Sequence, residues 1–233
     1  YIEKDAKINE EIDRLRHSAA QDVLLRRDVI VIASVSCIYN IGSPENYKNV
    51  SLDIKIGQKI KRKDFLLYLT NLQYKRNDID PSPGSFRARG DIVDIHLVTG
   101  EKLIKVEFLG DSINKIFESP NGVTTNYKLI TNNYKLFPAS FWVAPQDKIN
   151  IAIENIKTEL QNRLKELKKH KKILEAQRLE QRTSYDLEML QEAGYCHGIE
   201  NYSSQLEFRK PGQAPFSLVD YFGYFNPDGF LTF

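Results

Sequence analysis

Residues 85–111, SFRARGDIVDIHLVTGEKLIKVEFLGD, alternate apolar and polar side chains with a period of two. That period suits half-buried strands and argues against an amphipathic helix, because successive strand side chains point to opposite faces of a sheet. Phe86 and Ala88 fall on one face, and Ile104, Val106 and Phe108 of the next run face the core in the same way. Arg87 and Arg89 fall together on the opposite face, with Lys105 and Glu107 at the polar positions of the next run. The stretch therefore demands a sheet with one apolar face that something must cover. Its charged face is either solvated or docks on a partner.

The flanking patterns say what covers that sheet. KDFLLYLTNLQY, with Phe65, Leu66, Leu69 and Leu72, reads as a helix, and DPSPG is a turn cluster. A third strand is expected around Ser112–Phe117, then a turn at PNG and a fourth strand from Tyr127 to Phe137. Residues 49–139 thus form a small mixed α and β unit inserted into something larger. Ahead of it, Lys7–Arg27 places Ile8, Ile12, Leu15, Ala19 and Val23 at helical spacing, with Asp5 as the candidate cap. VIVIASVS, Val29–Ser36, follows as a nearly continuous apolar run, the pattern of a strand buried on both faces of a parallel sheet. Tyr39 lies just beyond it, where ligands of open α/β sheets sit. Behind the unit, Ile149, Ile153, Ile156, Leu160, Leu164 and Leu167 make a single helical stripe that begins at Pro145. KKHKK interrupts that stripe as a basic turn. A second helix, ILEAQRLEQRTSYDLEMLQEAG, closes at Gly194, so the pair is expected to form an antiparallel hairpin. FLTF, at the end, reads as a buried strand cut short.

A chain of 233 residues with 41 % hydrophobic and 27 % charged content is a globular protein of one large or two ordinary domains. No run of about 18 apolar residues and no cationic leader is present, so a cytoplasmic location is expected. Cys37 and Cys196 are too few and too distant for a disulfide framework. The net charge of +2 provides little bulk attraction for nucleic acid. Residues 48–89 are the local exception, with ten Lys or Arg against four Asp.

Catalytic signatures are missing. There is no phosphate-binding loop, no H-E-x-x-H, no paired C-x-x-C and no nucleophile elbow. His17, His96, His170 and His197 lack ligand spacing, and adjacency in sequence does not aim Cys196 and His197 at each other. The chain by itself is expected to be non-catalytic and to hold no metal or cofactor.

The strings YIEKDAKINEEIDRLRHSA, VIVIASVSCIYNIGSPENY, QYKRNDID, FRARGDIVDI, KVEFLGD, LFPAS, KILEAQRLEQRTSYDLEMLQEAGYCHGIENYS and PFSLVDYF together closely resemble the central part of the UvrB family, damage-verifying subunits of the bacterial excision nuclease. The resemblance covers nearly the whole chain. It implies an α/β fold: a fragment of a helicase-like domain with an inserted small α+β domain and a largely helical following segment. Residues 1–48 would be the end of a damage-probing hairpin and part of the first helicase domain. Residues 49–139 would be the UvrA-binding insert, and residues 140–233 a helical domain facing the hairpin and the start of the return to the helicase core. The family's nucleotide motifs, which use ATP and magnesium, would lie outside the matched region, making this chain an internal fragment that binds no nucleotide.

The same resemblance implies a role in nucleotide excision repair, with UvrA and DNA as partners and UvrC as a partner of the full-length family. Arg76, Arg87, Arg89, Lys105 and Glu107 match the residues with which the insert engages UvrA. Truncating Arg87 or Arg89 is expected to leave the fold intact, as exposed strand positions usually allow. Tyr1, Lys4, Tyr39, Arg182 and Glu200 are the candidates for holding DNA, with Lys4 and Glu200 as a clasp. Asn40 replaces an expected glycine, and Ser204 and Gln205 replace an Arg-His pair, which weakens phosphate binding there. Two other readings remain open: the UvrA-binding amino-terminal module of a transcription-repair coupling factor, against which GIENYS argues, and a generic single-strand binder. The latter needs aromatics interleaved with the basic residues, and between Lys55 and Arg89 only Phe65, Tyr68, Tyr74 and Phe86 are available.

Overall fold

The computed structural model describes residues 10–120, 127–131, 133–210 and 212–225. Helix α1, Glu10–Leu25, opens the described chain with Glu10, Glu11 and Asp13 in its first turn, where the helix dipole favours acids. It buries His17, Ala20, Val23 and Leu24. The expected stripe through Ile12 and Leu15 is displaced, since both are about half exposed. His17 takes the core position because its imidazole finds a partner there. Ile8, Asp5 and the whole of FLTF lie outside the described residues.

The buried strand expected over Val29–Ser36 does not form. Residues 29–34 run without regular structure, a 3-10 turn occupies Val35–Cys37, and Ile30 and Ile32 are 91 % and 97 % exposed. A parallel strand needs ladder partners on its two sides, and among the described residues this run has none. Val29 and Val31 still pack, partly buried, against the core beneath them. Helix α2, Pro44–Val50, then begins on Ser43, whose hydroxyl accepts from the Asn46 amide, with proline in the first turn.

The insert is entered and left through a two-stranded stem. Strand β1, Leu52–Ile54, pairs antiparallel with β8, Tyr134–Leu136, so the chain leaves beside the point where it came in. Between them lie α3, Arg62–Asn71, and a six-stranded sheet in sequence order. Its strands are β2, Lys75–Arg76, β3, Ser85–Arg89, β4, Ile92–His96, β5, Lys102–Leu109, β6, Ser112–Pro120, and β7, Lys128–Leu129. The single strand expected over Tyr127–Phe137 is therefore two short strands in different sheets. Its first part edges the large sheet and its second closes the stem. The PNG turn ahead of it falls largely outside the described residues.

Two hairpin loops, Gly90-Asp91 and Gly110-Asp111, connect β3 to β4 and β5 to β6, and their glycines supply φ of 54° and 59°. Loops of two residues need such left-handed angles to match the strand twist. Phe65, Leu69 and Leu72 of the α3 segment cover Phe86, Val93, Ile95, Ile104, Val106 and Ile116 on the apolar face. Fully burying such side chains contributes roughly 1.5–3 kcal/mol each.

The antiparallel hairpin is present. Helix α4, Gln146–Lys169, buries all six residues of the expected stripe, and α5, Ile173–Ala193, ends on Gly194 at φ 67°. A 3-10 turn, Ile199–Tyr202, and α6, Ser203–Leu206, fold back onto the hairpin, where Tyr202 donates to Asp186 Oδ2 at 2.7 Å. Helix α7, Leu218–Phe225, returns to α1 and α2, burying Leu218 and Tyr221 beside Tyr47 and Phe141. Side chains tie the parts together: Arg14 donates to the Thr99 carbonyl, Tyr74 to that of Phe137, and Gln73 to that of Ala193. Among the described residues no helix is long and apolar enough to cross a membrane.

Candidate functional site

With α3 on one face, the other face of the six-stranded sheet presents two cross-strand rows. Arg87, Asp94, Lys105, Phe117 and Leu129 are in register across β3 to β7. Arg89, Ile92, Glu107 and Lys115 are in register one row away. The period of two written in β3 and β5 thus does place Arg87, Arg89, Lys105 and Glu107 on one surface.

Within that surface the charges are not equivalent. Arg87 Nη2 lies 2.7 Å from Asp94 Oδ2, and its side chain is only 21 % exposed. Asp94 is buried more deeply still, and its Oδ1 has no hydrogen-bond partner. Lys105 Nζ sits 3.8 Å from the centre of the Tyr127 ring, a cation over a π face, and Tyr127 meets Phe117 edge-on at 6.3 Å. Arg89 is exposed and gives one hydrogen bond, from Nη2 to the Asp78 carbonyl at 3.0 Å. Glu107 is half-buried and has no ion pair among the described residues. One row of the face therefore offers a guanidinium and a carboxylate without ion pairs among the described residues, beside a row in which Arg87 is neutralised by Asp94. Burial, with Arg87 nearby, holds the His96 imidazole below its usual range.

Arg76 stands apart. It is in register with Phe86, one residue out of step with Arg87, and pairs with Asp78 at 2.9 Å. Asp78 joins it to the arginine face, since its Oδ1 accepts the Ala88 amide and its carbonyl accepts from Arg89. Those contacts, the Ala88 N–H first, hold the Asp78 carboxyl below the usual carboxylate range. Asp94 and Tyr127 are the residues that sequence reasoning missed. Asp94 was detectable, because it occupies the polar position between Val93 and Ile95.

The candidates for holding DNA are scattered. Tyr39 is about half exposed, and its carbonyl accepts from Arg16. Arg182 on α5 and Glu200 in the 3-10 turn are both exposed and flank the Cys196 segment, without an ion pair to each other. Tyr1 and Lys4 lie outside the described residues, so of the clasp only Glu200 is described. Cys196 is fully buried, and burial pushes its thiol up to about 12, which leaves no thiolate for the exposed His197 to serve. Both cysteines are free thiols, and among the described residues no group of His, Cys, Asp and Glu is placed to hold a metal.

Comparison with known proteins accounts for both halves of this architecture. The model of the UvrB interaction domain matches residues 52–142, the insert with its stem, and that of the UvrB third helical domain matches residues 147–208, the hairpin and its fold-back. The chain belongs to the UvrB family. It is 51 % identical over 232 residues to UvrABC system protein B of Geobacillus kaustophilus (strain HTA426), covering 99 % of the chain and 34 % of that relative. The proteins of the same name from Staphylococcus epidermidis (strain ATCC 12228 / FDA PCI 1200) and Staphylococcus haemolyticus (strain JCSC1435) are 51 % and 52 % identical over 224 residues, 96 % of the chain and 34 % of each relative. The chain thus spans about a third of the length of the curated relatives it matches. In UvrB terms, the charged face lies on the interaction domain, and Arg182 and Glu200 lie on the third helical domain.

Proposed function

We propose that this chain is the central part of a damage-recognition and verification subunit of bacterial nucleotide excision repair. It docks on UvrA through the open face of its inserted domain and helps to hold DNA through its helical domain. The observation that carries the docking reading is the pairing pattern on that face: Arg89 and Glu107, on either side of Ile92 in one cross-strand row, have no ion pair among the described residues, while the neighbouring row holds the partly buried Arg87–Asp94 ion pair. Arginine suits this role because its planar fork stays charged and binds a carboxylate through two hydrogen bonds. Arg76, Lys105 and Glu107 complete the docking set. Nucleotide binding and pairing with UvrC belong, on the same reading, to full-length relatives.

Titration of this chain against purified UvrA and against single-stranded DNA tests the proposal. Arg89→Ala is expected to cost ~2 kcal/mol of UvrA binding, as for an arginine central to an interface, or roughly thirtyfold in affinity. Undiminished UvrA binding by an Arg89→Ala, Glu107→Ala double variant would return the face to solvent. Loss of DNA affinity and salt dependence with intact UvrA binding would instead make it a phosphate-binding surface. Adding Mg-ATP is expected to leave the thermal midpoint of this chain unchanged, and nucleotide-dependent stabilisation would contradict the assignment of nucleotide binding to full-length relatives.

A further inference from the structure

The turn between α4 and α5 is, with the stretch 48–89, one of two strongly basic regions of the chain. Residues 163–178 carry seven Lys or Arg against two Glu, a net of +5 in a chain whose whole net charge is +2. Leu164, Leu167 and Ala176 pack beneath the turn, and every residue from 168 to 175 is exposed. Of the two acids, Glu166 is paired with Arg163. Among the described residues, Lys165, Lys168, Lys169, Lys171 and Lys172 have no ion pair or side-chain hydrogen bond.

Helix structure explains only some of these lysines. Lys168 and Lys169 sit in the last turn of α4, where a cation complements the helix dipole. Lys171 and Lys172 do not fit that account. The Lys172 amide bonds the Leu167 carbonyl and the Lys171 amide bonds that of Lys168, the pairing of a Schellman motif, which puts Lys171 at the left-handed position with φ 60°. Glycine is the unstrained residue there, and the chain uses glycine at the equivalent point of α5, Gly194. Lys172 precedes the first turn of α5, next to the positive end of that helix, and its side chain makes no cap. Lys171 is thus held where backbone strain disfavours it, and Lys172 where the dipole of α5 does.

We infer that this turn is a sequence-independent binding site for the phosphate backbone of duplex DNA. The composition selects the ligand. Five of the seven cations are lysine, which is depleted at protein interfaces and serves phosphates as a point charge. No Phe, Tyr or Trp occurs in residues 163–178, so the site lacks the large stacking platforms of single-strand binders. Ile173 and Leu174 are the only exposed large apolar residues there, too few for a membrane-surface helix. The site deepens the DNA-holding part of the function proposed above, rests on that part for its ligand, and is independent of docking on UvrA.

The test titrates this chain with a fluorescent DNA duplex of arbitrary sequence across a range of salt. A Lys169→Gln, Lys171→Gln, Lys172→Gln variant is expected to lose about eightfold in affinity at 0.1 M salt per lysine in contact, with a salt slope shallower by about 0.9 for each. Lys171→Gly is a second variant that relaxes the turn, so its expected loss of about eightfold cannot come from unfolding. Unchanged affinity and slope in both variants would overturn the site, as would lysine-dependent binding to anionic phospholipid vesicles or polyglutamate without binding to the duplex. UvrA titration of the same variants separates the two proposals: the lysine changes are expected to leave it untouched, while failure of the parent chain to bind UvrA would defeat the docking reading alone.

Discussion

The sheet of the insert and the run Val29–Ser34 are both rich in β-branched residues, yet only the first is a sheet. Strand β5 lies between β4 and β6, so its backbone groups have ladder partners on both sides and its apolar residues lie under α3. Residues 29–34 have the same local preference and no ladder among the described residues. One side of that run, Val29 and Val31, still rests on the core formed by α1, α2 and α7, while Ile30 and Ile32 face outward. The difference teaches that β propensity is a preference for a half-buried, paired surface rather than a property of the strand itself. The insert supplies its own partners, and the run depends on whatever lies beside it.

Substitutions sharpen that contrast, beginning where the insert is most self-contained. Phe65 is fully buried against Phe108, with ring centroids 5.4 Å apart, and Phe65→Ala is expected to cost about 3–5 kcal/mol in denaturant unfolding. A much smaller loss would mean that the insert core leans on the rest of the molecule.

The core under Val29–Ser34 has a different weakness. His17 is buried there, stacked on Phe141 at 3.9 Å and 2.9 Å from the Tyr47 hydroxyl, and burial, helped by Arg16, drives its pKa down to about 3. Between that value and the ordinary 6.5 the unfolded chain binds a proton that the folded one refuses. His17 therefore contributes a loss of stability as pH falls through that window, by up to about 1.4 kcal/mol per pH unit. Unfolding of this core, followed by near-ultraviolet circular dichroism, is expected to show that slope, and His17→Leu to flatten it. An unchanged slope in the variant would remove His17 as the cause.

The two arginines of the open face make a smaller contrast inside the insert. Arg87→Ala leaves the Asp94 carboxylate buried without its partner, at a cost of about 1–3 kcal/mol. Arg89→Ala is expected to stay within about 0.5 kcal/mol. The exposure on which the expected tolerance of truncation rests is found at Arg89 and not at Arg87, and equal thermal shifts would refute the distinction. The smallest effect belongs to the unpaired run. Ile32→Ser is expected to change stability by no more than about 0.5 kcal/mol, and a core-sized loss would show that the run is paired after all.

Much of the molecule could be read from the chain alone. The alternation of β3 and β5 named the apolar and charged faces, because strand geometry allows only one assignment of side chains to faces. The stripe from Ile149 to Leu167 named the buried side of α4, and Gly194 its partner helix's end. What spacing could not convey was which charges on the open face are spent. That depends on Asp94 of β4 meeting Arg87 of β3, and on Lys105 reaching Tyr127, which are contacts between separate strands.

Local sequence therefore determined the faces of β3, β5 and α4 and the pairing of α4 with α5, because periodicity and turn chemistry act over a few residues. Tertiary structure alone decided that His17 rather than Ile12 enters the core, that Tyr127–Phe137 divides between two sheets, and that Val29–Ser34 has no strand partner among the described residues. Each of these turns on a partner distant in sequence, such as Tyr47 for His17, β1 for β8, and the ladder that the apolar run lacks among the described residues. Burial and hydrogen bonding are satisfied between elements, and no window of neighbouring residues contains that information.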